Sequence, residues 1–218
     1  MRVLNVMHHV TSRPSYVEAY RLMREGALYL IIASLIIGVG GMMLISSFFP
    51  ALLTRQLRPS AIWGLLIGLV ILEIIGGIIW LIGAWGKFIP GARRLGELNP
   101  EFGTASTLIY IGLFWGIILM IIGVLLLVVI VGFFIIIVAI ILLILGYVGV
   151  IILGFKLHDL EKNTLYLVAA ILFIIGIFVP ILSFIAWIIL YIALGESIRK
   201  AEIAPPTPPT TPPTLPPL

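Results

Sequence analysis

Apolar residues along this chain arrive in long blocks rather than in alternation. Residues 27–49 hold nothing more polar than serine or tyrosine, and 61–86 are interrupted by a single acid, Glu73. Residues 108–155 contain no Asp, Glu, Lys or Arg, and 165–194 are equally bare. Blocks of about twenty apolar residues or more are the mark of transmembrane helices, because a helix satisfies its own backbone hydrogen bonds inside lipid. The pattern predicts an all-α, polytopic helical membrane protein. The 48 residues of 108–155 would run about 72 Å as one helix, against a hydrocarbon layer of about 30 Å, so the block must cross twice. Gly132 is the residue near its middle best suited to a left-handed helix end. Five spans result: 27–49, 61–86, 108–131, 133–155 and 165–194. The last block carries Pro180, which removes a backbone donor. It reads as one long, kinked span, with a re-entrant hairpin of two short arms as the alternative.

The polar stretches fill in the rest. Residues 1–26 form an arm in which Ser15-Tyr16-Val17-Glu18 matches a capping box, so a helix should start at Ser15. Tyr16, Tyr20, Met23 and Ala27 fall on one side of it and Arg21, Arg24 and Glu25 around the other. This predicts an amphipathic helix at the membrane interface, or a plain solvated extension, leading into the first span. The connection 87–107 carries turn formers at Gly91, Asn99-Pro100 and Gly103. Residues 204–218, APPTPPTTPPTLPPL, are a disordered, polyproline-type tail by composition.

Composition sharpens the class. Hydrophobic residues make up 62% of the chain and charged residues 10%, outside the range of soluble domains. In a five-span threading, one side carries nine basic residues: Arg2, Arg13, Arg21, Arg24, Lys87, Arg93, Arg94, Lys156 and Lys162. The other carries four: Arg55, Arg58, Arg199 and Lys200. The positive-inside rule then predicts a multi-pass cell-membrane protein with a cytoplasmic N-terminus and an extracellular tail. The net charge of +4 is too small to point to nucleic acid. The absence of cysteine excludes disulfides and thiolate metal sites. His8, His9, His158 and Asp159 fall on one side, but a histidine pair on an arm is more often solvated than metal-bound, and neither metal nor cofactor is expected.

From Gly26 to Lys200 the order of features resembles an uncharacterised family of archaeal membrane proteins, the domain of unknown function 973. LMREGALYLI, ELNPEFG, IYIGLFWGIILMIIGVLLLVVIVGFFIII and SFIAWIILYIALGESIRK carry the likeness. The resemblance implies an archaeal source and several spans, and supplies no activity and no catalytic residue.

Two features bear on function. Glu73 lies at the centre of the second span, where an unpaired charge is costly, so its carboxyl is expected to turn toward another helix and hydrogen-bond there. Gly64 and Gly68, Gly112 and Gly116, and the pair Gly76-Gly77 recur at helix-packing intervals. Such spacing lets backbones approach closely, within one chain more often than between chains. No phosphate loop, GxSxG, HExxH or pair of intramembrane carboxylates is present, so an enzyme is not expected. The expected role is a non-catalytic structural or accessory protein, with the lipid bilayer and either itself or a membrane partner as its contacts. A small transporter or channel using Glu73 for a proton or cation is the alternative.

Overall fold

The computed structural model describes the backbone of residues 13–54, 59–127 and 130–203. Side chains are described there except at 13–15, 44, 45, 47–54, 59–62, 65 and 66. Everything described is helix, turn or short connection. Helix α1 is Arg13–Thr54, and α2, Pro59–Gly83, passes through a π turn at Ala84–Phe88 into α3, Ile89–Leu98. A 3₁₀ turn at Pro100–Phe102 leads to α4, Gly103–Ile109, which continues through a second π turn at Tyr110–Trp115 into α5, Gly116–Leu125. Then follow α6, Ile130–Glu161, α7, Thr164–Gly176, and α8, Pro180–Ile203. Five stretches are long and apolar enough to cross a membrane: Tyr16–Met43, Ile67–Leu98, Pro100–Leu125, Ile130–Glu161 and Pro180–Ile203. The chain is an all-α, membrane-embedded protein with the expected number of such helices.

Its elements pair as three antiparallel hairpins. In the first, Leu72 of α2 lies against Gly40 of α1, Gly76 against Ile37 and Gly83 against Tyr29. The second sets α4, the π turn and α5 against α6, with Gly112 facing Gly146 and Gly149 facing Ile109. The third folds α7 back along α8. Asn163 Nδ2 donates to Glu196 at 2.9 Å, Tyr166 meets Ser197 at 2.9 Å, and the rings of Phe173 and Trp187 lie 4.9 Å apart. Residue numbers rise on one strand of contacts as they fall on the other, so the two helices run in opposite directions.

That third hairpin corrects the reading of 165–194 as one kinked span. The helix stops at Gly176, and Ile177–Val179 turn on bonds such as Phe178 N to Ile175 O at 3.0 Å before Pro180 opens α8. Proline at a helix start loses no bond, because its missing N–H had no partner there anyway. The thirteen residues of α7 rise about 20 Å, short of the roughly 30 Å of hydrocarbon. The block folds back on itself, and α8 returns to the end where α7 began. There Arg21 pairs with Glu202 at 2.7 Å, so the start of α1 and the end of α8 share one end of the bundle.

Other boundaries move as well. The turn between α5 and α6 begins at Leu126, not at Gly132, which lies inside α6 and packs against the Leu126 and Leu127 backbone. No glycine among the described residues has positive φ. Gly132 allows a close approach instead of a left-handed end. Gly91, read as a turn former, lies within α3, where an added Cβ would sit 2.7 Å from Met23 Cγ and 2.9 Å from the Ala19 carbonyl. Helix α1 starts at Arg13, two residues before Ser15, and passes Pro50, where the first span was expected to end. The side of its first turns bearing Tyr20, Met23 and Ala27 is buried as protein core against α3, rather than laid on the membrane. The tail at 204–218, and His8 and His9, lie outside the described residues.

The core sits toward the charged end, which we term the polar end. Met23, Leu30, Phe88, Leu95, Phe102, Ile109, Leu153, Leu157, Tyr166, Phe173, Leu190 and Leu194 are essentially inaccessible there. Toward the other, apolar end the packing thins. Apart from continuing into its own π turn, α2 packs extensively along α1 alone, and α5 along α6.

Candidate functional site

Glu73 lies on α2 one helical step away from the seam that Leu72, Gly76 and Gly83 make with α1. An added Cβ on Gly40 would sit 3.5 Å from its Oε1, so the carboxyl does turn toward a neighbouring helix, and glycine leaves the room for it. The side chain is half-buried and has no hydrogen bond or ion pair among the described residues. Ser46, a hydroxyl on the facing helix, donates to the Met43 carbonyl instead, at 3.1 Å. Gly77 and Trp80 follow Glu73 on the same stripe of α2. Trp80 reaches the edge of the core, whereas nothing lies within 4 Å of a Cβ at Gly77.

The predicted packing glycines divide into two groups. A Cβ on Gly112 would sit 2.5 Å from the Leu142 carbonyl and closer still to the Gly146 backbone. On Gly116 it would meet Leu143 at 3.0 Å, and on Gly76 the Ile37 side chain at 2.7 Å. These three serve contacts within the chain. Gly64 and Gly68 are exposed, and no described atom lies within 4 Å of a Cβ on either.

Sequence reasoning missed the polar end as a site. Lys162 closes α6 in the left-handed region at φ 50°, its N–H reaching the His158 carbonyl at 2.8 Å. Asn163 then caps α7, its Oδ1 accepting from Leu165 N at 3.0 Å, while its amide reaches Glu196. His158 Nδ1 lies 3.0 Å from the Asn163 carbonyl, so this histidine serves the same turn. Tyr20 donates to Glu161 at 2.7 Å, and deeper in the bundle, away from this end, Tyr147 shares a hydrogen bond with Ser183. Arg24 stands 4.6 Å over the Tyr191 ring and donates to its hydroxyl at 3.2 Å. The signal was present as lone polar residues in apolar runs, but nothing local says which would meet.

Two π turns lie beside one another. Each closes its hydrogen bonds over one residue more than an α turn, which re-aims the helix face beyond it, and such turns are common at functional sites. They bring Trp85 within 5.0 Å of Phe114, which stacks on Tyr110 at 5.3 Å. The buried indole nitrogen of Trp85 has no partner among the described residues. Below them, Gly96 lets α3 close on Ser106 of α4. One flank of this α3–α4 pair opens as a cleft of about 480 Å³, lined by Arg93, Gly96, Glu97, Gly103, Ser106, Thr107, Tyr110 and Ile111. The guanidinium carbon of Arg93 stands 4.7 Å over the Tyr110 ring.

The family described as "Protein of unknown function (DUF973)" matches residues 17–217, and the chain belongs to it. Neither a curated protein nor a solved structure matches the chain.

Proposed function

From a family that carries no assigned activity, we propose that this chain is a non-catalytic structural or accessory membrane protein that associates with a second copy or a membrane partner through α2. The observation that supports this most is the uncovered state of that helix. Beyond its seam with α1, one flank presents Gly64 and Gly68 with no described atom within 4 Å of a Cβ on either, and the other presents Glu73 and Gly77. Small residues let a further helix come within backbone contact, where dispersion and Cα–H···O contacts drive association in lipid. An acid at mid-depth can add a hydrogen bond worth about 0.6 kcal/mol to such a contact. Glu73 stands alone among the described membrane residues, which favours this role over a relay for protons or cations, since carriers place several such groups on facing helices. The bilayer supplies the remaining contacts, and no nucleic-acid role is proposed.

The third hairpin also revises the proposed orientation. It moves Arg199 and Lys200 to the polar end, which among the described residues carries Arg13, Arg21, Arg24, Lys87, Arg93, Arg94, Lys156, Lys162, Arg199 and Lys200. No lysine or arginine lies at the apolar end among the described residues. The bias is steeper than in the five-span threading, and it favours a cytoplasmic polar end with both termini inside the cell membrane. Oligomeric mass of the purified protein tests the association: wild type should exceed one chain per detergent-corrected particle, and Gly64→Leu/Gly68→Leu should return it to one. An unchanged particle in the double variant would remove α2 as the interface.

A further inference from the structure

The α3–α4 cleft at the polar end is a recess with one cation, Arg93, that no carboxylate holds among the described residues. Around this rim, Lys87 pairs with Glu25, Arg94 with Glu18 and Arg21 with Glu202. Arg93 has no ion pair among the described residues. The Tyr110 ring, 4.7 Å from the guanidinium carbon, holds the group by cation–π attraction and leaves its planar fork of donors for oxyanions. Thr107 lines the same recess with an exposed side chain, and Ser106 turns its hydroxyl to the Gly103 carbonyl at 3.0 Å. One turn beyond Arg93, Glu97 lines the cleft without pairing to it, so the recess carries one positive and one negative group and no net charge.

The level of the cleft supplies the remaining argument. Its Tyr110 end leads directly into the apolar face of Ile111 and Trp115, both exposed, while its Glu97 end leads to the Asn99-Pro100 turn. It therefore runs from lipid to water across the layer where phospholipid head groups lie. The geometry points to a binding site for the head of a zwitterionic phospholipid, its phosphate on Arg93 with Thr107, its ammonium on Glu97, and its acyl chains along Ile111 and Trp115. Neither an anionic head nor a bare phosphate matches both charges, because each would meet the Glu97 carboxylate without a cation to offset it.

Native mass spectrometry of the full chain, released from detergent after incubation with phosphatidylethanolamine or phosphatidylglycerol, reads the site. One phosphatidylethanolamine should be retained per chain in preference to phosphatidylglycerol. Arg93→Gln should weaken retention about tenfold by removing a charge-assisted contact, and Arg93→Lys should fall between, having charge without the planar fork of donors. Glu97→Gln should reverse the preference toward phosphatidylglycerol. Both positions lie on the surface of the fold, and an unchanged thermal midpoint checks that each variant is folded. Equal retention by Arg93→Gln would overturn the site, and an unaltered preference in Glu97→Gln would overturn the zwitterionic assignment. Displacement of the lipid by equimolar glycerophosphoethanolamine or inorganic phosphate would show a soluble ligand in its place.

Discussion

Along the hairpin that α4, the second π turn and α5 make with α6, one glycine after another lies against opposing backbone. Gly112 meets Gly146 and Leu142, Gly149 meets Ile109 and Ala105, and Gly123 meets Ile136 and the Gly132 carbonyl. Along α2 in the first hairpin, Gly64, Gly68 and Gly77 meet nothing described within 4 Å, and only Gly76 and Gly83 lie in a seam. The residue type is the same in both regions, so spacing alone does not reveal whether a glycine is spent inside the chain or left for another. What separates them is the second helix. Residues 108–155 form one uninterrupted apolar block, and glycine on both helices lets its halves close tightly, whereas α1 meets Gly76 through the side chains of Ile36 and Ile37 and brings its backbone up to α2 only at Gly83.

The largest expected effect comes from filling the closed seam. Gly112→Leu forces a side chain into Gly146 and Leu142, where backbone has no room to move, and overpacking of this kind costs about 3 kcal/mol or more. Loss of a cooperative thermal transition in detergent, or a midpoint lowered by many degrees, would register it. Gly68→Leu should stay within about 0.5 kcal/mol of wild type in the same measurement. A comparable loss at both positions would erase the contrast between the two hairpins.

Next in size is the turn between α6 and α7. Asn163→Ala removes a helix cap and leaves Glu196 without its amide partner, for about 1–2 kcal/mol together. Asn163→Asp keeps the cap but opposes Glu196 with a second carboxylate, so it should lose part of that stability at neutral pH and recover it as acid protonates the pair. A pH-independent loss would place Glu196 elsewhere.

The smallest effect is expected at Glu73. With no hydrogen bond among the described residues, Glu73→Gln should leave thermal stability within about 0.5 kcal/mol. Glu73→Leu should likewise keep the fold, while lowering the share of associated particles if the acid bonds across the proposed interface. Proton or cation flux in liposomes that Glu73→Gln abolishes would instead make α2 a transport element.

How much of this was legible beforehand follows from which interactions are local. Length and hydropathy identify a helix from its own residues, so the apolar blocks 27–49, 61–86 and 108–155 all appear as helices, the last crossing back on itself as its length demanded. The buried side of residues 16–27 was visible too, from its spacing, although its partner proved to be α3 rather than lipid. Pairing is not local. Whether Pro180 bends a span or opens a returning helix depends on Asn163, Tyr166 and Phe173 finding Glu196, Ser197 and Trp187 across the turn, and no window of sequence holds both sides. For the same reason Glu73 and the glycines could be named but not sorted, and the Arg93–Tyr110 cleft, built by two π turns and a close approach at Gly96, left no pattern to read.

The central claim is that the last apolar block turns back, so that the end of α8 rejoins the start of α1. In this naturally cysteine-free chain, labelling from one side of sealed vesicles by a membrane-impermeant thiol reagent tests it directly. Glu97→Cys marks the polar end, Arg58→Cys the connection between α1 and α2, and Lys200→Cys the end of α8. The account predicts that Lys200→Cys is labelled from the same side as Glu97→Cys and protected when Glu97→Cys is protected. Labelling of Lys200→Cys together with Arg58→Cys, and not with Glu97→Cys, would contradict it.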